Sequence, residues 1–377
     1  MRTSKRLVTF VVTLFLLLPF VSPHAKALEV SAQCAVLMDT QSGRFLYEKN
    51  PENPMLIAST TKIMTALVVI SRCNLDEMVT VRKEQTGVEG SSMYLKPDEQ
   101  ISVRDLLYGL LLASGNDAAE TLAVHCAGSI PSFAEMMNET ARMLRLTDTH
   151  FANPHGLNAN QHYSCARDMA VIAQEAMKNE EFRRIVSTKT ITLDERVLKN
   201  HNKLLWDYEG AIGLKTGYTM KAGRCLVSAA ERDGRMLIAV TLNAPNDWKD
   251  HAALFDAGFK TFKTRTLCTD GDVLGSVPVV SGVVRSVQVY AEETLTMPLT
   301  DEELSRVELV PELPRFIWAP MTQGAVIGKA RFMLDGRLLC QTDLCCAQDV
   351  PEQTEKTFWQ NLSELWDRVS GRAPTNG

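Results

Sequence analysis

The chain has no run of basic residues, no metal-ligand spacing and no regular cysteine framework, and each absence removes a class of function. With 40 Lys and Arg against 45 Asp and Glu the formal net charge is −5, so nucleic acid is not an expected partner. The seven histidines include no H-E-x-x-H, and His150 with His155 lacks a companion carboxylate at zinc-ligand spacing. No metal or organic cofactor is expected. Nine cysteines are an odd number; Cys34, Cys126, Cys225 and Cys268 stand in apolar runs as small buried hydrophobes. Cys340, Cys345 and Cys346 cluster near the end and leave room for one disulfide. The apolar stretch at 7–21 is short for a membrane span. Arg2, Lys5 and Arg6 precede it and Ala25-Lys26-Ala27 follows, which makes residues 1–27 a secretory signal peptide cut before Leu28. The mature chain is therefore expected outside the cytoplasmic membrane.

What is present is three short words in order: S-T-T-K opening at Ser59, S-G-N at Ser114 and K-T-G at Lys215. A lone S-x-x-K is common, and each word alone has a bland reading. These are a helix N-terminus, a turn and N-cap, and a solvated edge lysine. Together, each beside an apolar run, they describe one cleft. Residues 58–70 contain no Gly or Pro and read as a buried helix, on which Ser59 and Lys62 at i and i+3 share a face. A serine hydroxyl is a poor nucleophile until an adjacent base takes its proton. Lysine can be that base only if burial or a second cation lowers its pKa, and Lys215 would be that cation. Ser114 and Asn116 fall on a connection between a helical run at 104–113 and another from Asp117. There Ser114 can relay a proton to the leaving group, while Asn116 can bind a substrate amide or hold Lys62. K-T-G precedes two apolar runs, 224–231 and 235–243, joined by Asp233-Gly234, a strong hairpin signal. Lys215, Thr216 and Gly217 then lie on an edge strand, where a substrate carboxylate binds the first two and Gly217 lets a ligand approach the backbone.

On these words the chain resembles the D-alanyl-D-alanine carboxypeptidases, low-molecular-mass penicillin-binding proteins of the serine peptidase kind. Further words carry the likeness: 90–95, 110–120, Asn153-Pro154-His155-Gly156-Leu157, 166–168 and 215–219. The similarity covers roughly residues 29–262. The resemblance implies a β-lactamase/transpeptidase-like catalytic domain acting on peptidoglycan stem peptides that end in D-Ala-D-Ala, in cell wall synthesis and remodelling, with β-lactams as inhibitors. It also implies an oxyanion hole made by the backbone N–H groups of Ser59 and Tyr218. One departure stands out. Some members carry an arginine downstream of K-T-G for the substrate carboxylate, whereas 246–250 here offers only Lys249. Two rival readings are a serine β-lactamase and a non-catalytic wall-binding protein. No E-x-x-L-N segment lies between Asn116 and Lys215, and every expected catalytic position is filled.

The organisation read from the chain is α+β. A peptidase domain at 28–263 has an antiparallel sheet and a helical cluster meeting at the cleft. It opens with strands at 34–39 and 44–49 around Thr40-Gln41-Ser42-Gly43 and closes with a helix at about 249–262. From 264 to 346 short alternating runs, recurrent Gly and Pro and an Asp335-Gly336 turn describe a small β-rich domain. In the tail at 347–377, Phe358, Leu362, Leu365, Trp366 and Val369 recur at helical spacing. That pattern suits a helix lying in a membrane interface, or one packed on the β-domain.

Overall fold

The strand Cys34–Asp39 is apolar at five consecutive positions, the pattern of a strand covered on both faces. Alternate side chains go to opposite sides. Cys34, Val36 and Met38 pack into one core with the helices, and Ala35 and Leu37 into a second core beneath the helix Asp247–Thr261. The computed structural model describes residues 28–353 and 358–370; the signal peptide expected at 1–27 lies outside the described residues. The sheet is five-stranded and antiparallel, in the order Phe45–Lys49, Cys34–Asp39, Arg235–Leu242, Gly223–Arg232, Ala211–Thr219. Asp233 and Gly234 both have positive φ, 52° and 75°, and close the tight hairpin expected of an Asp-Gly pair. The last strand of the order carries K-T-G, so that word is on a sheet edge.

Six helices cover the other face: Lys62–Arg72, Val103–Leu111, Asn116–Ala127, Ile130–Met143, Ala166–Met177 and Glu180–Ser187. The expected helix at 58–70 differs at its start. Ala58–Thr61 is a 3-10 turn, and the α-helix begins at Lys62. Ala58 has a φ of +46°, which no regular helix entry accommodates, so the chain tightens before it relaxes into α geometry.

The second domain is a six-stranded sheet in the order Val307–Glu312, Val326–Leu334, Arg337–Cys346, Ser286–Ala291, Val273–Val280, Ile317–Trp318. Beside it lies a two-stranded ribbon, Lys263–Cys268 with Leu295–Leu299. Bridges from Met321 to Val350 and from Gly282 to Glu352 carry its pairing past 346. Arg44 joins the two domains, donating to Pro298 O and to the Glu303 carboxylate. All cysteines among the described residues are free, so the room left for one disulfide near the end of the chain is not used. Cys345 and Cys346 are consecutive on a strand and face opposite ways, and Cys340 stands about 20 Å from Cys346 along the same strand. Cys34, Cys225 and Cys268 are buried as expected; Cys126 is half-buried.

Among the described residues no helix is long and apolar enough to cross a membrane. The final helix, Phe358–Ser370, turns its polar side to the β-domain. Ser281 Oγ donates to Glu364 Oε2 at 3.2 Å, and the Arg368 guanidinium lies 4.7 Å from the Trp318 ring centre. Phe358, Trp359, Leu362, Leu365, Trp366 and Val369 are left exposed.

Candidate active site

The 3-10 turn places Ser59 at the mouth of a cavity of about 350 Å³, also lined by Ser91, Ser114, His201, Thr216, Gly217 and Tyr218. Three residues after Ser59, the α-helix starts with Lys62, whose side chain points inward and is fully buried. Its Nζ lies 3.1 Å from Ser59 Oγ, 2.7 Å from Asn116 Oδ1 and 2.7 Å from the His155 carbonyl oxygen. Asn116 Nδ2 donates to Glu89 O, which fixes the amide so that its oxygen faces Lys62. Two of the three neighbours therefore only accept. A neutral amine satisfies both with its two N–H bonds and turns its lone pair to the third, the Ser59 hydroxyl. Burial pushes the Lys62 pKa well below its usual value, and the Lys215 charge lowers it further.

Ser114 is buried and its backbone sits at φ +61°, a left-handed conformation that a serine adopts at a cost. The turn is held on both sides: Gly115 N donates to Gly109 O and Asn116 N to Ser91 O. Asp117 then anchors the neighbouring 90–95 segment, accepting from Ser92 Oγ, Met93 N and Leu95 N at 2.6, 3.0 and 3.1 Å. Asn116 thus stands behind Lys62 and outside the cavity lining. Of the two roles open to it in the sequence, the geometry matches holding the lysine.

On the other wall, Gly217 comes so close to the serine turn that a Cβ there would stand 3.0 Å from Ser59 N and 3.1 Å from Ile57 O. A side chain there would push the edge strand and the serine turn apart by a few tenths of an ångström. Thr216 and the largely exposed Tyr218 flank it and line the cavity. Lys215, two residues before Gly217, shares that face of the strand. It is 1% exposed, its Nζ donates to Thr216 O at 2.8 Å, and burial pulls its pKa down to about 7. The expected second cation is therefore one that titrates near neutrality.

The N-P-H-G loop is a supporting element whose role the words alone did not reveal. Asn153 Oδ1 accepts from His155 N and Gly156 N, and Thr65 Oγ1 on the nucleophile helix donates to Pro154 O. Gly156 has a φ of +91°, and a Cβ on it would meet Ala58 O at 1.9 Å. The loop is pressed against the serine turn and hands its His155 carbonyl to Lys62. The His155 ring is held neutral, its pKa lowered by burial to about 3. Arg224, Asp247 and Trp248 also line the cavity, from the neighbouring strand and the helix that follows. A second cavity of about 1000 Å³ adjoins the first through His201 and Lys203, and includes Tyr94, Val197 and Trp206.

A buried lysine beside a serine, on a helix covered by an antiparallel sheet whose edge strand carries K-T-G, defines an active-site-serine peptidase of the penicillin-binding class. Residues 21–246 match the family profile described as D-alanyl-D-alanine carboxypeptidase, and 262–352 match the penicillin-binding protein 5 C-terminal domain. The chain belongs to the D-alanyl-D-alanine carboxypeptidase family. The carboxypeptidase DacA of Haemophilus influenzae is 35% identical over 90% of this chain and 88% of its own. DacF of Bacillus subtilis is 30% identical over 89% and 90%. The crystal structure of penicillin binding protein 5 from Haemophilus influenzae superposes with a TM-score of 0.74 at 34% identity, covering 86% of this chain and 98% of that one. Members act on peptidoglycan peptides ending in D-Ala-D-Ala, bind β-lactams and work outside the cytoplasm. The α+β catalytic domain and the C-terminal β-domain are those of this family.

Proposed function

We propose that this chain removes the terminal D-alanine from peptidoglycan stem peptides with Ser59 as nucleophile and Lys62 as base. The observation that carries the assignment is the three-partner environment of Lys62 Nζ, which leaves its lone pair for the Ser59 hydroxyl. Ser59 Oγ attacks the carbonyl between the last two D-alanines as its proton passes to Lys62 Nζ. The backbone N–H groups of Ser59 and Tyr218 take the developing oxyanion. Ser114 Oγ relays the proton to the departing nitrogen, D-alanine leaves, and water hydrolyses the ester on Ser59. Asn116 holds Lys62; Lys215, Thr216 and Gly217 shape the strand against which the substrate lies. A β-lactam acylates the same serine.

This reading divides the chain into a peptidase domain at 28–263 and a β-domain from 264. The β-domain serves as a spacer, and the apolar face of Phe358–Ser370 rests in the interface of the membrane's outer surface. Ser59→Ala should abolish both D-alanine release and labelling by fluorescent penicillin. Retained covalent labelling would sink the assignment. Rapid penicillin turnover by the unaltered protein would favour the β-lactamase reading instead.

A further inference from the structure

A substrate that ends in a free carboxylate needs a fixed positive charge in the reaction cavity, and we propose that Arg224 supplies it, reaching over from the strand beside K-T-G. This rests on the function proposed above. The segment at 246–250 does not provide the charge. Lys249 is exposed and outside the cavity lining, and the two residues that do line it from there are Asp247 and Trp248. Lys215 is buried, spends a donor on Thr216 O and is only partly charged at neutral pH. His201 lines the cavity but is kept neutral, its pKa lowered by burial and by Lys215. Lys203 sits where the cavity passes into its larger neighbour. Arg224 remains, paired in strand register with Tyr218 next to Thr216 and Gly217.

Its guanidinium is already oriented. Nε donates to Asp247 Oδ1 at 3.0 Å, and Nη2 donates to Oδ1 and Oδ2 at 2.8 and 2.9 Å. The Trp248 ring lies 5.6 Å from its central carbon. Asp247 occupies one edge of the planar group and leaves the edge bearing Nη1 for a second carboxylate, which guanidinium geometry matches with two parallel hydrogen bonds. The ion pair is also polarised by depth. The Arg224 side chain is 41% exposed and that of Asp247 only 3%, so the cavity sees the cation. A side chain held in place loses little freedom when the ligand arrives, and the bond geometry is ready before binding.

The test compares an N-acylated peptide ending in D-Ala-D-Ala with the same peptide capped as its C-terminal amide. The unaltered protein should prefer the free acid, and Arg224→Gln should lower kcat/KM for it about 10–100-fold, mostly through KM. The capped peptide should change by less than about twofold. Arg224→Lys keeps a charge and the Asp247 partner and should recover part of the loss; if Arg224→Gln does not fold, this variant and the acid-to-amide preference of the unaltered protein give the reading. An equal fall on both peptides means that Arg224 only braces Asp247, and either that result or an absent preference in the unaltered protein overturns the proposal. If the unaltered protein releases no D-alanine from either peptide, the proposed function has failed instead.

Discussion

Lys62 Nζ and the backbone carbonyl of His155 are 2.7 Å apart, although 93 residues separate them in the chain. That bond sets the lysine's chemistry. A carbonyl cannot donate, so together with Asn116 Oδ1 it claims the two hydrogens of a neutral amine and aims the remaining lone pair at Ser59. Arginine keeps its proton at any working pH, so Lys62→Arg should reduce the penicillin acylation rate about 10³-fold, the usual scale of a lost general base. Circular dichroism and thermal melting separate this from misfolding. Near-normal acylation by a folded Lys62→Arg would mean that another group takes the Ser59 proton.

The two buried lysines also leave a mark on stability. Burial holds Lys215 at about 7 in the folded protein against 10.5 in the open chain. Between these values the unfolded chain binds more protons than the folded one, so the unfolding free energy rises with pH across that window. Below about pH 7 the full penalty is present, on the order of a few kcal/mol. Lys215→Met should therefore raise Tm by several degrees at pH 6–7, with the gain shrinking as pH approaches 10. D-alanine release should fall in the same variant. A Tm difference independent of pH would show that Lys215 is not buried as a titrating amine.

Gly156 tests the support behind the serine turn. At φ +91° and with Ala58 O only 1.9 Å from where a Cβ would stand, Gly156→Ala must displace either the N-P-H-G loop or the Ala58–Thr61 turn. The strain alone costs about 1–3 kcal/mol, and the carbonyl partner of Lys62 moves with it. The expected outcome is a lower Tm together with a penicillin acylation rate down at least about tenfold, since ångström shifts at a reacting pair are costly. A variant that loses stability and keeps its acylation rate would show that the loop does not position Lys62.

Much of this site was legible because its hydroxyls and amines sit inside contiguous words beside apolar runs. Ser59, Ser114, Thr216, Gly217 and Tyr218 do line one cavity, with Lys62 directly behind Ser59. Asp233-Gly234 announced its hairpin because left-handed backbone at both residues narrows the residue choice. Other features had no such signature. The His155 carbonyl is a backbone group, identical in every residue, and Arg224 enters the cavity only through strand register. The 3-10 entry at Ala58–Thr61 depends on a loop almost a hundred residues away pressing against it. Whether Cys340, Cys345 and Cys346 pair was left open by the sequence, because closeness in the chain does not fix closeness in space. In an extended strand even six residues span far more than a disulfide can.

The final helix allows catalysis and location to be separated. Phe358, Trp359, Leu362, Leu365, Trp366 and Val369 are exposed while Glu364 and Arg368 contact the β-domain, so the apolar stripe faces away from the protein. Aromatic residues on such a face favour the headgroup region of a bilayer, and the affinity should come from buried apolar area. Charge adds little: from Pro351 onward there are four carboxylates against three Lys and Arg. Deleting 355–377 should shift the mature protein from the membrane fraction to the soluble one and leave hydrolysis of a soluble D-Ala-D-Ala peptide within about twofold. Trp359→Glu with Trp366→Glu should act in the same direction, because charge on the apolar face opposes insertion without removing the helix. Binding of the full chain to neutral vesicles should survive high salt, as expected for apolar rather than ionic attachment. Equal partitioning of the full and shortened proteins would mean that the exposed stripe meets another protein instead of lipid.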